Sequence, residues 1–368
     1  MFEPLFIKLQ PDNFIDLTQT PWGGTTIANT IKSQLNIDFP KFIGESLEFS
    51  ALNESPSAFV ENLPISTLPQ LLARPEMAKT WLSPEHIDRW GTQTPLLIKY
   101  IDAKRNLSLQ IHPNLDDASL PCDFCGKWEA WLVLKHEPNA GVYLGLKPGL
   151  GKEDLRAAIA SQQNIEDYLN FIPVNDGDLI SIPPQKPHAL GAGVCVLEPQ
   201  LIVPGKRPVS LRLHDWNHRY DSNGNLSPSG TPRKLNIDAA LALLDTAPFE
   251  ESVFIHRNAQ NKKANANPST LHTQTFSPMP FVVMQIIHGT GDFLQEKFCD
   301  LTSIIAVEGS VSIQIQQVKY TLNQGESAII ASSAQNVAFE FHNAHVVLTH
   351  CNAQIPSFST LMPINPSP

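Results

Sequence analysis

No apolar run in the sequence approaches the roughly 18 residues a membrane-crossing helix needs, and the opening MFEPLFIKLQ carries Glu3 and lacks a basic start or long apolar stretch. Neither a membrane span nor a secretory leader is expected, and a cytoplasmic location is. Cysteine is scarce: five residues spread over 368 suit reduced thiols better than a disulfide framework. Charge is sparse too, at 17% against about 25% in an average soluble protein, while 42% of residues are hydrophobic, so the chain should bury a core. Positive charge is in deficit, with 26 Lys and Arg against 36 Asp and Glu, and nucleic acid is not an expected partner. The motifs GxGxxG and GxSxG are absent. The Gly-rich GLKPGLGKE at 145–153 is one residue off a P-loop and has Glu after Lys152, so no phosphate cradle is expected there.

What is present is proline, 31 residues of it, which breaks long helices and favours turns and short strands. The loop Pro21-Trp22-Gly23-Gly24 precedes an alternating run, FIGESLEFS at 42–50, that predicts a strand. Residues 66–90 have the helical spacing of Leu and Met, with prolines that should cut them into short helices. Strands are expected in PLLIKYIDA, LSLQIHP, WEAWLVLK, GVYLGLK, DLISIPP and VCVLEPQ, with helices at 151–171 and 233–245. Residues 257–280 lack periodicity and read as a linker, which divides the chain into a first domain at 1–256 and a second, all-β domain at 281–368. A Gly-Asp turn at 177–178 and a Gly-Glu turn at 325–326, each before an apolar run, hint at a duplication.

One set of residues carries chemistry. Gln110 and His112 stand two apart on an expected strand and so share a face, Glu129 lies on the next long strand, and His188 follows a Pro-rich turn. Nitrogen and oxygen donors of this kind suit Zn²⁺ or a related divalent metal in the mouth of a small β-barrel, with a position left open to substrate. Each histidine alone reads as an ordinary hydrogen-bonded one, and the case rests on the four together. Cys122-Asp123-Phe124-Cys125 has no second pair at zinc-site spacing and reads as two free thiols. His288, His342, His345 and His350 form no comparable set, so the second domain is expected to be a metal-free scaffold.

The strings PWGG, IGESLEFS, PLLIKYIDAKRNLSLQIHP, GKWEAW, GDLISIPPQKPHALGAG and LRLHDW, in this order from about Pro21 to Asp245, resemble the type I mannose-6-phosphate isomerases, particularly the short bacterial form. The resemblance implies a mainly β chain of two cupin domains with a small helical insertion. It implies one Zn²⁺ per chain, held by Gln110, His112, Glu129 and His188, and a sugar phosphate as partner. Arg212 matches an arginine across the site from the metal, Lys127 a lysine near the substrate, Ser108 a serine linked to phosphate binding, and Glu198 an acid of a Glu-x-Gln segment. Arg212, Lys127 and Glu198 are thus the implied catalytic groups, and Ser108 with Lys127 the implied substrate contacts. The chain departs from the pattern between Gln200 and Arg212, where IVPGKRPVSLR is longer by a few residues, lacks the aromatic before Arg212, and adds Arg207 as a competitor for its role. A cupin oxygenase and a non-catalytic sugar-phosphate binder are the rival readings. Oligomeric state is not legible.

Overall fold

The computed structural model describes residues 4–61, 63–258 and 270–355. Its first unit is built from two antiparallel sheets. One runs in the order Ile255–His256, Leu179–Ile182, Trp128–His136, Val194–Leu201, Leu96–Ala103, Glu45–Phe49; the other in the order Leu211–His214, Leu109–Ile111, His188–Leu190, Gly141–Leu146, Leu169–Pro173. Alternate residues of the long strands meet two different environments. Ile101, Trp131, Val133 and Val196 of the first sheet face inward and pack against Val142, Leu144 and Leu190 of the second. Ile98, Leu132 and Leu197 face outward into a second apolar layer. This two-sided burial explains why the strands read as nearly continuous apolar runs.

The second unit is a seven-stranded antiparallel sheet of long strands, including Val282–Lys297, Thr302–Ile315 and Gln335–Cys351, that closes over Ile304, Val311, Ile313, Phe339, Phe341 and Val346. Its other face, with Met284, Ile286, Ile305 and Val347, joins the outward layer of the first unit and the helical residues Leu68, Leu71 and Trp81 in one cluster. The architecture is mainly β and cupin-like, with a small helical insertion, as expected.

The helical expectation at 66–90 resolves into Leu68–Leu72, Pro75–Trp81 and Pro84–Trp90, each with its proline in the first turn, where the missing N–H costs nothing. Other boundaries differ. The helix expected over 151–171 stops at Ala160, because Gln162 takes a positive φ of 52° and Leu169–Pro173 joins a sheet. That expected over 233–245 is Ile237–Leu243. Within the expected linker 257–280, His272–Met279 is a strand paired with Val282–Lys297, while 259–269 lie outside the described residues. Pro278 falls at the register break of that strand, which is where a proline is tolerated, and its presence masks the alternation. Phe6–Leu9, inside the expected first domain, pairs with Ser327–Ile330 and belongs to the second unit's sheet. No described helix is long and apolar enough to cross a membrane.

Candidate metal centre

The site starts from strand register. Gln110 pairs directly with His188 on one side and with Arg212 on the other, so three neighbouring strands present these residues on one face. Gln110 is half-buried; His112, two residues on, and His188 are fully buried. Glu129 comes from the opposing sheet, paired with Ile182 and Gln200, and is also fully buried.

The three ligand groups converge. His112 Nε2 lies 3.2 Å from Glu129 Oε2, His188 Nε2 lies 3.1 Å from Glu129 Oε1, and the two Nε2 atoms are 3.0 Å apart. Both imidazoles are aimed by backbone: His112 Nδ1 donates to Val209 O at 3.1 Å and His188 Nδ1 to Lys186 O at 2.8 Å. With the protons on Nδ1, each Nε2 presents a lone pair to the other, an arrangement two neutral rings disfavour unless a cation sits between them. Burial, aided by the Lys127 ammonium and opposed by Glu129, pushes the His112 imidazolium down to about 3, so the ring is neutral as a ligand must be. Glu129 Oε1 is buried without a hydrogen-bond donor. Tetrahedral ligand atoms about 2.0–2.1 Å from one zinc lie about 3.3 Å from each other, close to the separations here. Among the described residues, His112, Glu129 and His188 are the one trio of His, Cys, Asp or Glu whose ligand atoms lie within 4.8 Å of one another. The donor set therefore fits a borderline divalent cation.

A belt of charge surrounds it. Lys127 Nζ is 3.0 Å from Glu129 Oε2. Gln200 Nε2 donates to Glu129 Oε2 at 3.2 Å and to Glu198 Oε2 at 2.6 Å, and Trp131 Nε1 donates to Glu198 Oε1 at 2.8 Å. Lys99 bridges Glu198 at 3.2 Å and Glu45 at 2.9 Å. Burial raises the Glu129 carboxyl, but Lys127 and His112 outweigh it and hold the group well below the usual carboxylate range. Glu198 goes the other way: burial and the neighbouring Glu129 push it up to about 7, against Lys99 and Lys127. Burial lowers Lys99, yet the Glu198 and Glu45 carboxylates win and raise it.

Of the residues expected at the site, Lys127 and Glu198 thus stand in one network with the ligands. Ser108 is buried two residues before Gln110. Arg212 is tied back: its Nη1 donates to Lys234 O at 2.9 Å and its Nε is buried without a partner. Burial and the nearby Arg233 lower its pKa. Arg207 lies apart, exposed and 3.8 Å from Glu54. Cys122 and Cys125 are free thiols, exposed and buried respectively. Sequence reasoning missed Lys99, Gln200, Glu45 and Trp131. For the first three the signal was there: charged or amide side chains at inward positions of otherwise apolar strands need partners.

No protein-family model matches the chain. A mannose-6-phosphate isomerase from Streptococcus mutans is 26% identical to it over 96% of this chain and 99% of its own length. The mannose-6-phosphate isomerase ManA of Bacillus subtilis is 26% identical over 69% of this chain and 72% of its own. Among solved structures, a mannose 6-phosphate isomerase from Bacillus subtilis superposes with a TM-score of 0.73 over 94% of this chain and all of that one, at 21% identity. The chain has the phosphomannose isomerase fold. Phosphomannose isomerase structures from Salmonella typhimurium align over 95% of it as well, with a TM-score of 0.67 at 16% identity. The resemblance seen from about Pro21 to Asp245 therefore extends, in fold, through the second unit.

Proposed function

We propose that this protein is a cytoplasmic, zinc-dependent aldose–ketose isomerase that interconverts mannose 6-phosphate and fructose 6-phosphate. One zinc per chain would be held by Gln110, His112, Glu129 and His188. The observation that carries the reading is the pair of backbone-anchored imidazoles whose Nε2 atoms face each other 3.0 Å apart over the Glu129 carboxylate. Relatives of near-full length named for this activity support it, as do five free cysteines for the compartment.

The reaction moves one proton from C2 of the open-chain aldose to C1, with the hydroxyl proton passing between O2 and O1 through a cis-enediol. A bound zinc supplies positive charge beside the oxygens as they become anionic. Glu198, with a carboxyl held near neutrality, is the group suited to take the proton at C2 and return it at C1. Lys127 keeps Glu129 ionised and would add a second positive charge beside the residues that would hold the metal. Gln200 fixes the two carboxylates relative to one another. Arg212, next to Gln110 in register, would stabilise the developing charge or position the sugar, and Ser108 would bind the phosphate.

The test is a coupled isomerase assay over several hexose phosphates with metal content measured alongside. We expect mannose 6-phosphate to be turned over, and His188→Ala to lose bound zinc and turnover together. Full activity in metal-stripped His188→Ala would contradict the mechanism. Bound iron with oxygen consumption would favour the oxygenase, and binding without turnover the non-catalytic reading.

A further inference from the structure

The second unit also brings histidines together, but on its outer face. His272 on the His272–Met279 strand pairs directly with His288 on Val282–Lys297, and His288 pairs directly with His345 on Gln335–Cys351. On the far side of His345 its partner is Glu308. Direct antiparallel partners share a face, so four adjacent strands carry His, His, His and Glu in one row. That face is the one turned toward the first unit: Phe276, Ile286 and Val347, of the same strand parities as the three histidines, all belong to the apolar layer between the units.

The geometry approaches that of shared ligation. The His288 and His345 rings stand 6.1 Å apart, centre to centre, at 85°. Two imidazoles on one tetrahedral ion put their ring centres about 5 Å apart, so closing the pair takes about 1 Å of side-chain movement. In the metal centre described above, the corresponding separation is 4.7 Å. His272 has a buried Nε2 without a hydrogen-bond partner, and its side chain is half-buried. Glu308 is held by Lys135, whose Nζ lies 2.8 Å from Oε1, and Lys135 also approaches Asp176 at 4.0 Å. The ammonium thus occupies the one carboxylate of the row and places a positive charge beside it. A cation bound here would rely on neutral imidazoles and water, and would be held more weakly than at His112, Glu129 and His188, where a carboxylate contributes.

We propose that His272, His288 and His345 form a second, non-catalytic site for a borderline divalent cation of the zinc type at the junction between the two units. Imidazole nitrogens select zinc, nickel, cobalt or copper over magnesium or calcium. Bound between strands that face the first unit, the ion would fix three strands of the second sheet at that junction. The site rests on strand register and ring geometry within the second unit and stands whether or not the proposed isomerase reading holds.

Equilibrium dialysis of the full chain against zinc, with ions counted per chain, tests it. The unaltered protein should take up two ions at saturation. His288→Ala and His345→Ala should each hold one and keep isomerase turnover, whereas His188→Ala should lose the tighter ion and keep the weaker. If His345→Ala does not fold, His288→Gln and His272→Gln carry the same measurement from less buried positions. Cys122→Ser must keep both ions, and cobalt in the second site should lack the intense absorption of a thiolate ligand. A single ion at millimolar zinc, or a second ion that persists in the His288→Ala/His345→Ala chain, would overturn the proposal.

Discussion

In the first unit, Asn175, Gly177 and Asp178 make the turn before the Leu179–Ile182 strand; in the second, Asn323, Gly325 and Glu326 make the same turn before Ser327–Ile330. Asp178 Oδ2 accepts the Asn175 N–H at 2.9 Å, and Glu326 Oε2 accepts the Asn323 N–H at 2.7 Å. Both glycines take positive φ, 91° and 83°, which side chains disfavour. Gly177 N donates to Val133 O, and Gly325 N to Ala306 O. The hint of duplication in the sequence is therefore a structural correspondence, and it extends to register and to a bulge just past Val133 and Ala306. Glu129 pairs with Ile182 and Gln200; at the equivalent place Thr302 pairs with Ile330 and His350. Where the first unit has a buried carboxylate, the second has a hydroxyl that donates to Asp300 O at 2.9 Å. His350, pushed down to about 4 by burial, is a neutral ring without a ligand partner of that kind. The same backbone thus holds a candidate metal centre or an apolar core according to a few inward positions, and the barrel alone predicts neither.

Substitutions should separate the two interiors. Phe341→Ala, in the packed core of the second unit, should cost about 3–5 kcal/mol of stability, read by denaturant unfolding, while the folded fraction keeps its kcat/KM. A proportionate loss of turnover would make the second unit part of the catalytic machinery. Arg212→Ala should do the reverse, lowering turnover about 10²-fold with zinc retained and stability little changed. Loss of zinc in that variant would make Arg212 a structural support of the ligand set.

A smaller effect is expected in pH dependence. As the proposed base, Glu198 acts only when ionised, so kcat/KM should rise with pH through a midpoint no higher than about 7, level off above it, and fall about tenfold per unit below. A bound cation beside Glu129 favours the ionised form and moves this midpoint to lower pH. Glu198→Gln should remove the limb. A limb that survives the substitution would assign the proton transfer to another group.

How much of this was legible varies with the range over which the information is carried. Gln110 and His112 were legible because their relation is local, two residues apart on one strand. The prolines of 66–90 likewise marked real helix starts. The convergence of Glu129 and His188 on His112 depends on two sheets facing each other, and residue types alone offered four donors without their geometry. The resemblance to a known family coincided with that grouping and supported it. Long-range pairing left no local trace: Phe6–Leu9 joins strands more than 300 residues away, and a short apolar run of that kind fits either unit. The belt of Lys99, Glu45 and Gln200 around Glu198 was missed because these residues alternate with strongly apolar neighbours, and the strand pattern absorbed them. The row of His272, His288 and His345 was invisible because its first member lay in a segment read as linker.

The smallest expected effect concerns Arg207, and it sharpens the comparison from outside both barrels. Arg207 lines a cavity of about 510 Å³ with Lys206, Gln93, Leu52 and Leu72, and that cavity includes none of Gln110, His112, Glu129 and His188. Its side chain is 64% exposed and approaches Glu54 at 3.8 Å. Its backbone does more: Arg207 N bonds Asp123 O and Val209 N bonds Cys125 O, and these two bonds seat the carbonyl of Val209 that aims His112. Arg207→Ala keeps that backbone and should leave kcat/KM within about twofold and stability within about 0.5 kcal/mol. In the longer segment between Gln200 and Arg212, then, the main chain positions His112 while the added cation stays in solvent. A tenfold or greater loss in Arg207→Ala, with Arg212→Ala unaffected, would transfer the substrate-facing role to Arg207 and place the sugar phosphate in this cavity.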